Sequence, residues 1–204
     1  TKTFSSKIKT IHTLKKKKIL CLDIENVKNI KNIKKEYLII KPEYGAGSEN
    51  IMILKNNENI KNNKGSFLQK FSEGKKGSFS MLCFKGRAKV LTCNEQIVSI
   101  KDNNIKQIGL YVGGFENHRP EIQNLANQIC SAFKGLFGFI GVDIVMHNKK
   151  LKVIEINSRF TSSYVGIQSS YGQDVLHEIT NFYVKNILKN NIKTNLKTIN
   201  KIYF

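Results

Sequence analysis

Two apolar segments in the second half of the chain carry carboxylate and amide side chains, and this pattern limits the fold more than any other feature. Residues 138–146 and 151–156 have the composition of buried strands and are separated by a polar turn. Asp143 interrupts the first segment, Glu155 lies in the second, and Asn157 follows it. Because side chains on a strand alternate between faces, Glu155 and Asn157 share one face. Pairing through the turn brings Asp143 across from them, so the three side chains are predicted to form one site.

Three hard oxygen donors at this spacing are typical of a divalent cation site. Two carboxylates and an amide oxygen suit Mg²⁺, with Mn²⁺ as an alternative, when nucleotide phosphates complete the coordination. A buried carboxylate costs free energy unless it is paired, and the other interpretation is the solvated face of an edge strand. Arg159 continues the same face. It would bind a γ-phosphate or an acyl phosphate, or else form a plain salt bridge to Asp143 or Glu155.

A second candidate site begins at Lys41, which is followed at once by a glycine-containing loop at 43–48. Glycines allow backbone N–H groups to approach phosphate oxygens, and the lysine adds a positive charge. The lysine precedes the glycines, so the order differs from that of a P-loop. A simple hairpin turn uses the same glycines, and both interpretations stay open on these residues alone.

The rest of the chain mixes helices with short apolar strands, which predicts an α+β fold rather than a regular βαβ alternation. Amphipathic helices are expected at 120–134 and 171–188, and a shorter helix, capped by Ser5 or Ser6, at 7–14. The other expected strands lie at 19–22, 37–41, 51–54, 67–71, 78–84 and 88–93, with weak strand signals over 96–114.

The charge of the chain favours anionic ligands but does not by itself indicate nucleic acid. The 204 residues carry a net charge of +19, almost all of it from lysine, since there are only three arginines. Arginine is the usual bidentate reader of phosphates and bases. The excess charge is +9 in residues 1–41 but zero in 121–180, where the acidic strands lie. We therefore expect small anionic ligands such as nucleotides, and a basic nucleic-acid-binding protein is the alternative from another class.

The apolar residues and cysteines indicate the compartment. No apolar run approaches the roughly 18 residues of a membrane span, and no export signal opens the sequence. The four cysteines form no C-x-x-C pair and sit in apolar runs, so we expect buried, reduced thiols. These features together predict a cytoplasmic protein without membrane contact.

Taken in chain order, the candidate residues resemble the ATP-grasp superfamily. The likeness includes the helix at 5–14, Lys41 with its glycine loop, the segment 69–74 and the run from Asp143 to Arg159, and it extends from about Ser5 to Gly166. Within the superfamily, the stretch from Glu155 to Gly166 is most similar to the archaeal-type tyramine–glutamate ligases of methanofuran synthesis.

The resemblance implies an ATP-grasp fold of two α+β subdomains that clasp the nucleotide. Residues 1–63 would form the first subdomain, 64–188 the second, and 189–204 a basic C-terminal tail. The relatives carry a further N-terminal domain without a counterpart here, so a missing domain or a partner chain is expected, and a homodimer is another expected arrangement. Lys70 and Glu95 depart from the pattern, since the relatives commonly have Glu and Arg at these positions.

The implied activity is an ADP-forming ligation of a small-molecule carboxylate to an amine through an acyl phosphate. Glutamate and tyramine are the pair that the resemblance suggests. The alternatives within the superfamily are another amide or peptide ligase, or a nucleotide-binding protein without turnover.

The resemblance also implies the residues that bind the phosphates of ATP. Lys7 and Lys41 would contact the phosphates directly, and Lys41 would also assist catalysis. Gly45, Gly47 and Ser48 would form a mobile lid over them.

The remaining roles concern the base, the metal and the transferred phosphoryl group. Gln69 and Phe71 would meet the adenine, and the Asp143, Glu155 and Asn157 set would hold the metal. Arg159 would act in catalysis by stabilising the phosphoryl group and the tetrahedral intermediate. Asn94 and Gln96 match a polar pair that lies near the active site in relatives.

Overall fold

The computed structural model describes residues 4–25, 38–45, 51–54, 65–189 and 191–204. Gly47 and Ser48 of the glycine loop lie outside these ranges. The helices of the described residues are α1 (Lys7–Lys16), α2 (Arg119–Ala132), α3 (Ile167–Tyr171) and α4 (Gln173–Lys185). The strands are β1 (Ile24–Glu25), β2 (Leu38–Pro42), β3 (Met52–Leu54), β4 (Ser66–Lys70), β5 (Lys75–Phe84), β6 (Arg87–Lys101), β7 (Asn104–Val112), β8 (Gly138–His147), β9 (Lys150–Asn157) and β10 (Asn200–Tyr203).

The strands form one sheet in the order β1-β4-β2-β3-β7-β6-β5-β8-β9, and β10 adds to β7. Neighbouring strands within the described residues pair antiparallel, from β1 with β4 to β8 with β9. Helices combined with an antiparallel sheet confirm the α+β class. None of the helices in the described ranges is long and apolar enough to cross a membrane.

Two hydrophobic cores cover opposite faces of the long central strands. Phe79 and Val142 pack with α1 and α2 in the larger core, whereas Leu91 and Phe139 pack with α3 and α4 in the other. The alternation of apolar residues on strands that are buried on both faces produces these two cores. Each fully buried Leu or Phe contributes roughly 1.5–3 kcal/mol from the hydrophobic effect, so the central strands are the most strongly stabilised part of the sheet.

The N-terminal strands rest on a much smaller cluster. In the described residues this cluster contains Leu38, Ile40 and Leu68, with Leu54 packed against it. Strand β4 pairs with β1 and β2. Strand pairing therefore groups residues 66–70 with the N-terminal strands. From the sequence, these residues are expected in the second subdomain, which would begin at residue 64.

Helix α1 follows the sequence prediction closely. Ser6 is its N-cap, and the Ser6 hydroxyl accepts a hydrogen bond from the Lys9 N–H at 3.2 Å. Thr10, Ile11 and Leu14 form its buried face. The cap and the buried face fix the position of Lys7, the first helical residue.

Three segments differ from the sequence prediction. The strand expected at 88–93 continues to Lys101 and pairs with β7. Gly172 has φ +92°, a conformation that favours glycine, and the expected helix at 171–188 begins only after it, as α4, whereas α3 ends just before it. The expected strand at 19–22 makes only an isolated bridge between Cys21 and Val153.

The expected basic tail at 189–204 is part of the folded body. Ile192 is buried in the core beside α3 and α4, and β10 pairs with β7 from Asn200 to Tyr203. The lysines of this segment lie between apolar residues, and those apolar residues determine where it packs.

All four cysteines are free thiols. Cys83, Cys93 and Cys130 are buried in the larger core, and burial raises the pKa of the Cys93 thiol. These side chains therefore act as small apolar groups.

Candidate active site

A cavity of about 1050 Å³ lies where the N-terminal strands face the carboxylate-bearing strands. Strands β2 and β9 are far apart in the order of the sheet, yet residues of both line this cavity, so the sheet curls around it. The candidate residues that line it are Lys41, Gln69, Phe71, Gln96, Asp143, Glu155, Asn157 and Arg159. A concave site with a few converging polar groups is the usual form of a ligand pocket.

The carboxylates sit opposite each other on β8 and β9. The register pairs Asp143 directly with Glu155, and Asn157 with Gly141. The Asn157 Nδ2 donates a hydrogen bond to Asp143 Oδ2 at 3.2 Å. The strand spacing read from the sequence therefore does bring these three side chains together.

Asp143 is held in an electrostatically costly environment. Gln96 Nε2 donates a 2.7 Å hydrogen bond to Asp143 Oδ1 from β6. Burial, followed by the negative charge of Glu155, raises the pKa of Asp143 to about 7 against the opposing charge of Lys41. A positive charge would therefore be stabilised at this part of the cavity.

Lys41 projects from β2 and is buried, with 7% of its surface exposed. Burial lowers the pKa of the Lys41 ammonium, whereas the charges of Glu155 and Asp143 raise it. The lysine thus interacts with the carboxylates across the cavity, and their charges favour its protonated form.

Lys7 reaches the same place from α1. Its Nζ lies 3.8 Å from Glu155 Oε1 and donates to the Gly45 carbonyl oxygen at 3.0 Å. The Ser6 hydroxyl donates to Glu43 at 2.5 Å, which ties the start of the helix to the loop after β2. The capped helix therefore places a second lysine beside Glu155 and beside Gly45 of the glycine loop.

Another part of the cavity wall is formed by the end of β4 and the segment that follows. Gln69, paired with Ile39, is almost fully buried at 1% exposure. Its Nε2 is 3.5 Å from the Ile154 carbonyl oxygen, whereas its Oε1 has no partner in the described part of the chain. Buried acceptors are rarely left unsatisfied, so this atom is suited to a ligand that donates an N–H.

Arg159 is exposed at the rim beyond Asn157. Its Nη1 donates to the Phe160 carbonyl oxygen at 3.1 Å, and none of the ion pairs among the described residues includes Arg159. Its charge nevertheless lowers the pKa of Asp143. The alternative of a plain salt bridge to Asp143 or Glu155 is therefore not what the structure has.

Two of the expected lid residues, Gly47 and Ser48, lie outside the described residues. Gly45 is described and has φ +114°. Over the ranges described, no three His, Cys, Asp or Glu side chains converge as a metal cluster. The third polar side chain beside the carboxylate pair is the amide of Asn157.

Two features of the cavity were not predicted from the sequence, the presence of Lys76 and the ion pair of Glu95. Lys76 of β5 also lines the cavity, but next to Lys75 it carries no distinguishing sequence signal. Glu95, which departs from the family pattern, pairs with Lys75, whose Nζ lies 2.6 Å from Glu95 Oε2. Both lysines line the cavity, and the ion pair with Glu95 distinguishes Lys75 from Lys76.

Comparisons with known proteins were made at the level of sequence and of structure. The model of a family described as the ATP-grasp domain matches residues 4–163. A tyramine–L-glutamate ligase of Methanocaldococcus jannaschii is 26% identical over 140 residues, or 67% of this chain and 39% of that protein. The ligase of the same name from Methanocaldococcus fervens is 30% identical over 139 residues, or 66% of this chain and 41% of that protein. The chain therefore spans about two fifths of the length of the curated relatives it matches.

A solved structure shares the fold. The carboxyaminoimidazole ribonucleotide synthase of Aspergillus clavatus, solved in complex with ATP, matches with a TM-score of 0.77 and 13% identity. The match covers 98% of this chain and 56% of that chain. Together with the family match, it confirms the fold expected from the sequence.

Proposed function

This chain belongs to the ATP-grasp domain family, and we propose that it is part of an ATP-dependent ligase that joins a carboxylate to an amine. One observation carries the proposal: Lys41, Asp143 and Glu155 line the same cavity as the unpartnered acceptor of Gln69. A metal-bound nucleotide requires cations for its phosphates, carboxylates for its metal ion and a polar contact for its base.

The nucleotide would lie along the cavity with its base at the β4 end. Gln69 Oε1 would accept an N–H of the adenine, and Phe71 would pack against the ring. The phosphates would extend toward Lys41 and Lys7. Gly45, together with Gly47 and Ser48, would cover them, because glycines permit close approach of backbone N–H groups.

The donors at the other end fit a magnesium ion, with manganese as the alternative. Asp143 and Glu155 supply carboxylate oxygens, and Asn157 directs its Nδ2 at Asp143, which leaves its Oδ1 for a ligand. The raised pKa of Asp143 reflects an excess of buried negative charge that a divalent cation would relieve. When bound, such an ion would neutralise charge on the phosphates.

The reaction would proceed in two steps. A substrate carboxylate oxygen attacks the γ-phosphorus, which forms an acyl phosphate and releases ADP. The amine then attacks the acyl carbon, a C–N bond forms, phosphate leaves, and the surplus amine proton passes to water. Lys41 would position the phosphates, and Arg159 would stabilise charge that grows on the transferred group and on the tetrahedral intermediate.

We further propose glutamate and tyramine as the substrates, because both curated relatives are named for that pair. The test measures ADP release by the complete protein with ATP, Mg²⁺, glutamate and tyramine, with omission of each substrate as the control. ADP release that requires both substrates is the expected result. Release with a different pair would overturn the substrate assignment only, and nucleotide binding without release for any pair would overturn the ligase proposal.

A further inference from the structure

We propose that Lys76 is a nucleotide-binding cation that contacts the α-phosphate, next to the segment that holds the base. The inference rests on the proposed function, since it takes the cavity to be a nucleotide site. It adds a binding residue on β5, separate from the lysines on α1 and β2.

Two uncharged contacts fix the Lys76 side chain at one place in the cavity. Its Nζ donates to the backbone carbonyl oxygen of Ser72 and lies 4.8 Å from the centroid of the Phe71 ring. A carbonyl oxygen and an aromatic face orient an ammonium group but do not neutralise it. These contacts therefore hold the ammonium group in position without neutralising it.

The local charges leave Lys76 without a counterion. No carboxylate of the described residues lies within 4 Å of its Nζ. Burial and then the charge of Lys41 lower the pKa of Lys76 to about 8, and Glu73 only partly opposes them. Two like charges that face one cavity repel each other, and an anion bound between them would turn this repulsion into attraction.

The neighbouring lysine shows the contrast. Lys75 is exposed, and its Nζ is neutralised by Glu95 at 2.6 Å while lying 5.1 Å from the Phe115 ring. Adjacent residues of the same type thus have opposite electrostatic environments. Of these two lysines, only Lys76 combines a fixed position, partial burial and an uncompensated charge.

The position of Lys76 along the cavity selects the phosphate. It touches the segment after β4, where the base would bind, and it interacts electrostatically with Lys41, which faces the carboxylates. A nucleotide that extends between these ends places its ribose and α-phosphate in the interval. The α-phosphate is the first anionic group in that interval.

The test is a calorimetric titration of the complete protein with ADP, and with AMP by competition against ADP. Lys76→Met removes the charge, and Lys76→Arg retains it. Lys85→Met is the matched control, because Lys85 also lies over an aromatic ring, 5.1 Å from the centroid of Phe84, but does not line the cavity. We expect Lys76→Met to weaken ADP and AMP alike by about ten-fold, the effect of one charge-assisted contact. Lys76→Arg should recover most of this loss, and Lys85→Met should leave both affinities unchanged.

Each other outcome has a separate meaning. Equal affinities for wild type and Lys76→Met would overturn the proposal, and weakening of ADP without AMP would overturn the α-phosphate assignment. A lower melting temperature for Lys76→Met, with no rescue of binding by Lys76→Arg, would indicate a structural role and overturn it too. Failure of the wild type to bind ADP would instead contradict the proposed function.

Discussion

The two walls of the cavity pack against hydrophobic cores of very different size. The wall with the carboxylates consists of β8 and β9, which pair from Gly141–Asn157 to His147–Lys150 and pack against the larger core. The wall with Lys41 consists of β2 and β4 and rests on a three-residue cluster of the described chain. The carboxylates are therefore held by a large core, whereas the buried lysine is held by a small one.

This difference separates two tasks that a phosphate site must perform. Asp143 and Glu155 repel each other, and the paired strands that carry them hold them together with the help of the positive charges of Lys7 and Lys41. The lysine wall has fewer buried apolar contacts, and regions of that kind open at a lower free-energy cost. We infer that the carboxylate wall fixes the geometry of the metal end while the lysine wall adjusts to the ligand.

The largest expected effect is on the free energy of unfolding, and it compares the larger core with the small cluster directly. Phe79→Ala removes a fully buried ring from the larger core and should lower the free energy of unfolding by about 3–5 kcal/mol. Leu68→Ala in the small cluster should cost about 2 kcal/mol, because few neighbours surround it and they can relax. Urea unfolding measures both, with Leu20→Ala as the control at a leucine that is 53% exposed. Equal losses at Phe79 and Leu68 would remove the contrast between the walls.

The next effect sharpens the contrast in chemistry. Arg159→Lys keeps the charge at the rim of the carboxylate wall but loses the planar fork of the guanidinium. The turnover number should fall by about 100-fold, comparable with the loss of one oxyanion donor, while ATP affinity stays nearly unchanged. Steady-state ADP release and calorimetry measure the two quantities. A matching loss of ATP affinity would show that Arg159 acts on bound ATP before the reaction.

The smallest effect is the pH dependence of the carboxylate wall without metal. The pKa of Asp143 is raised to about 7 from an ordinary value near 3.9. Between pH 4 and 7 the native state therefore binds more protons than the unfolded state, so this residue lowers stability as pH rises. The slope is at most about 1.4 kcal/mol per pH unit.

The Asp143→Asn variant isolates this contribution. In EDTA, its free energy of unfolding minus that of the wild type should increase from pH 4 to pH 7, because other carboxyl groups cancel in the difference. A constant difference would show that Asp143 is not destabilised by its surroundings.

The sequence predicts the carboxylate wall better than the lysine wall, for a physical reason. The segments that form β8 and β9 are largely apolar in sequence, so the polar interruptions at Asp143 and Glu155 stand out, and the period of two predicts which faces they share. The Gln96 contact to Asp143 crosses from β6, and no local pattern encodes which strands become neighbours.

The remaining features depend on tertiary packing. The burial of Ile192 arises from the packing of the C-terminal segment in the core beside α3 and α4, although the local sequence reads as a basic tail. Lys76 differs from Lys75 only through what surrounds each side chain. Such differences depend on tertiary contacts, and the local sequence does not predict them.

The central claim is that Asp143 and Glu155 form the metal end of a nucleotide site that Lys41 faces. The most direct test is the ratio of ATP dissociation constants in EDTA and in Mg²⁺, measured by calorimetry for the wild type and for the double variant Asp143→Asn, Glu155→Gln. We expect Mg²⁺ to tighten ATP binding to the wild type by at least about ten-fold, or 1.4 kcal/mol, and to have little effect on the double variant. A wild type that binds ATP equally with and without Mg²⁺, or a double variant that keeps the full Mg²⁺ effect, would contradict the claim.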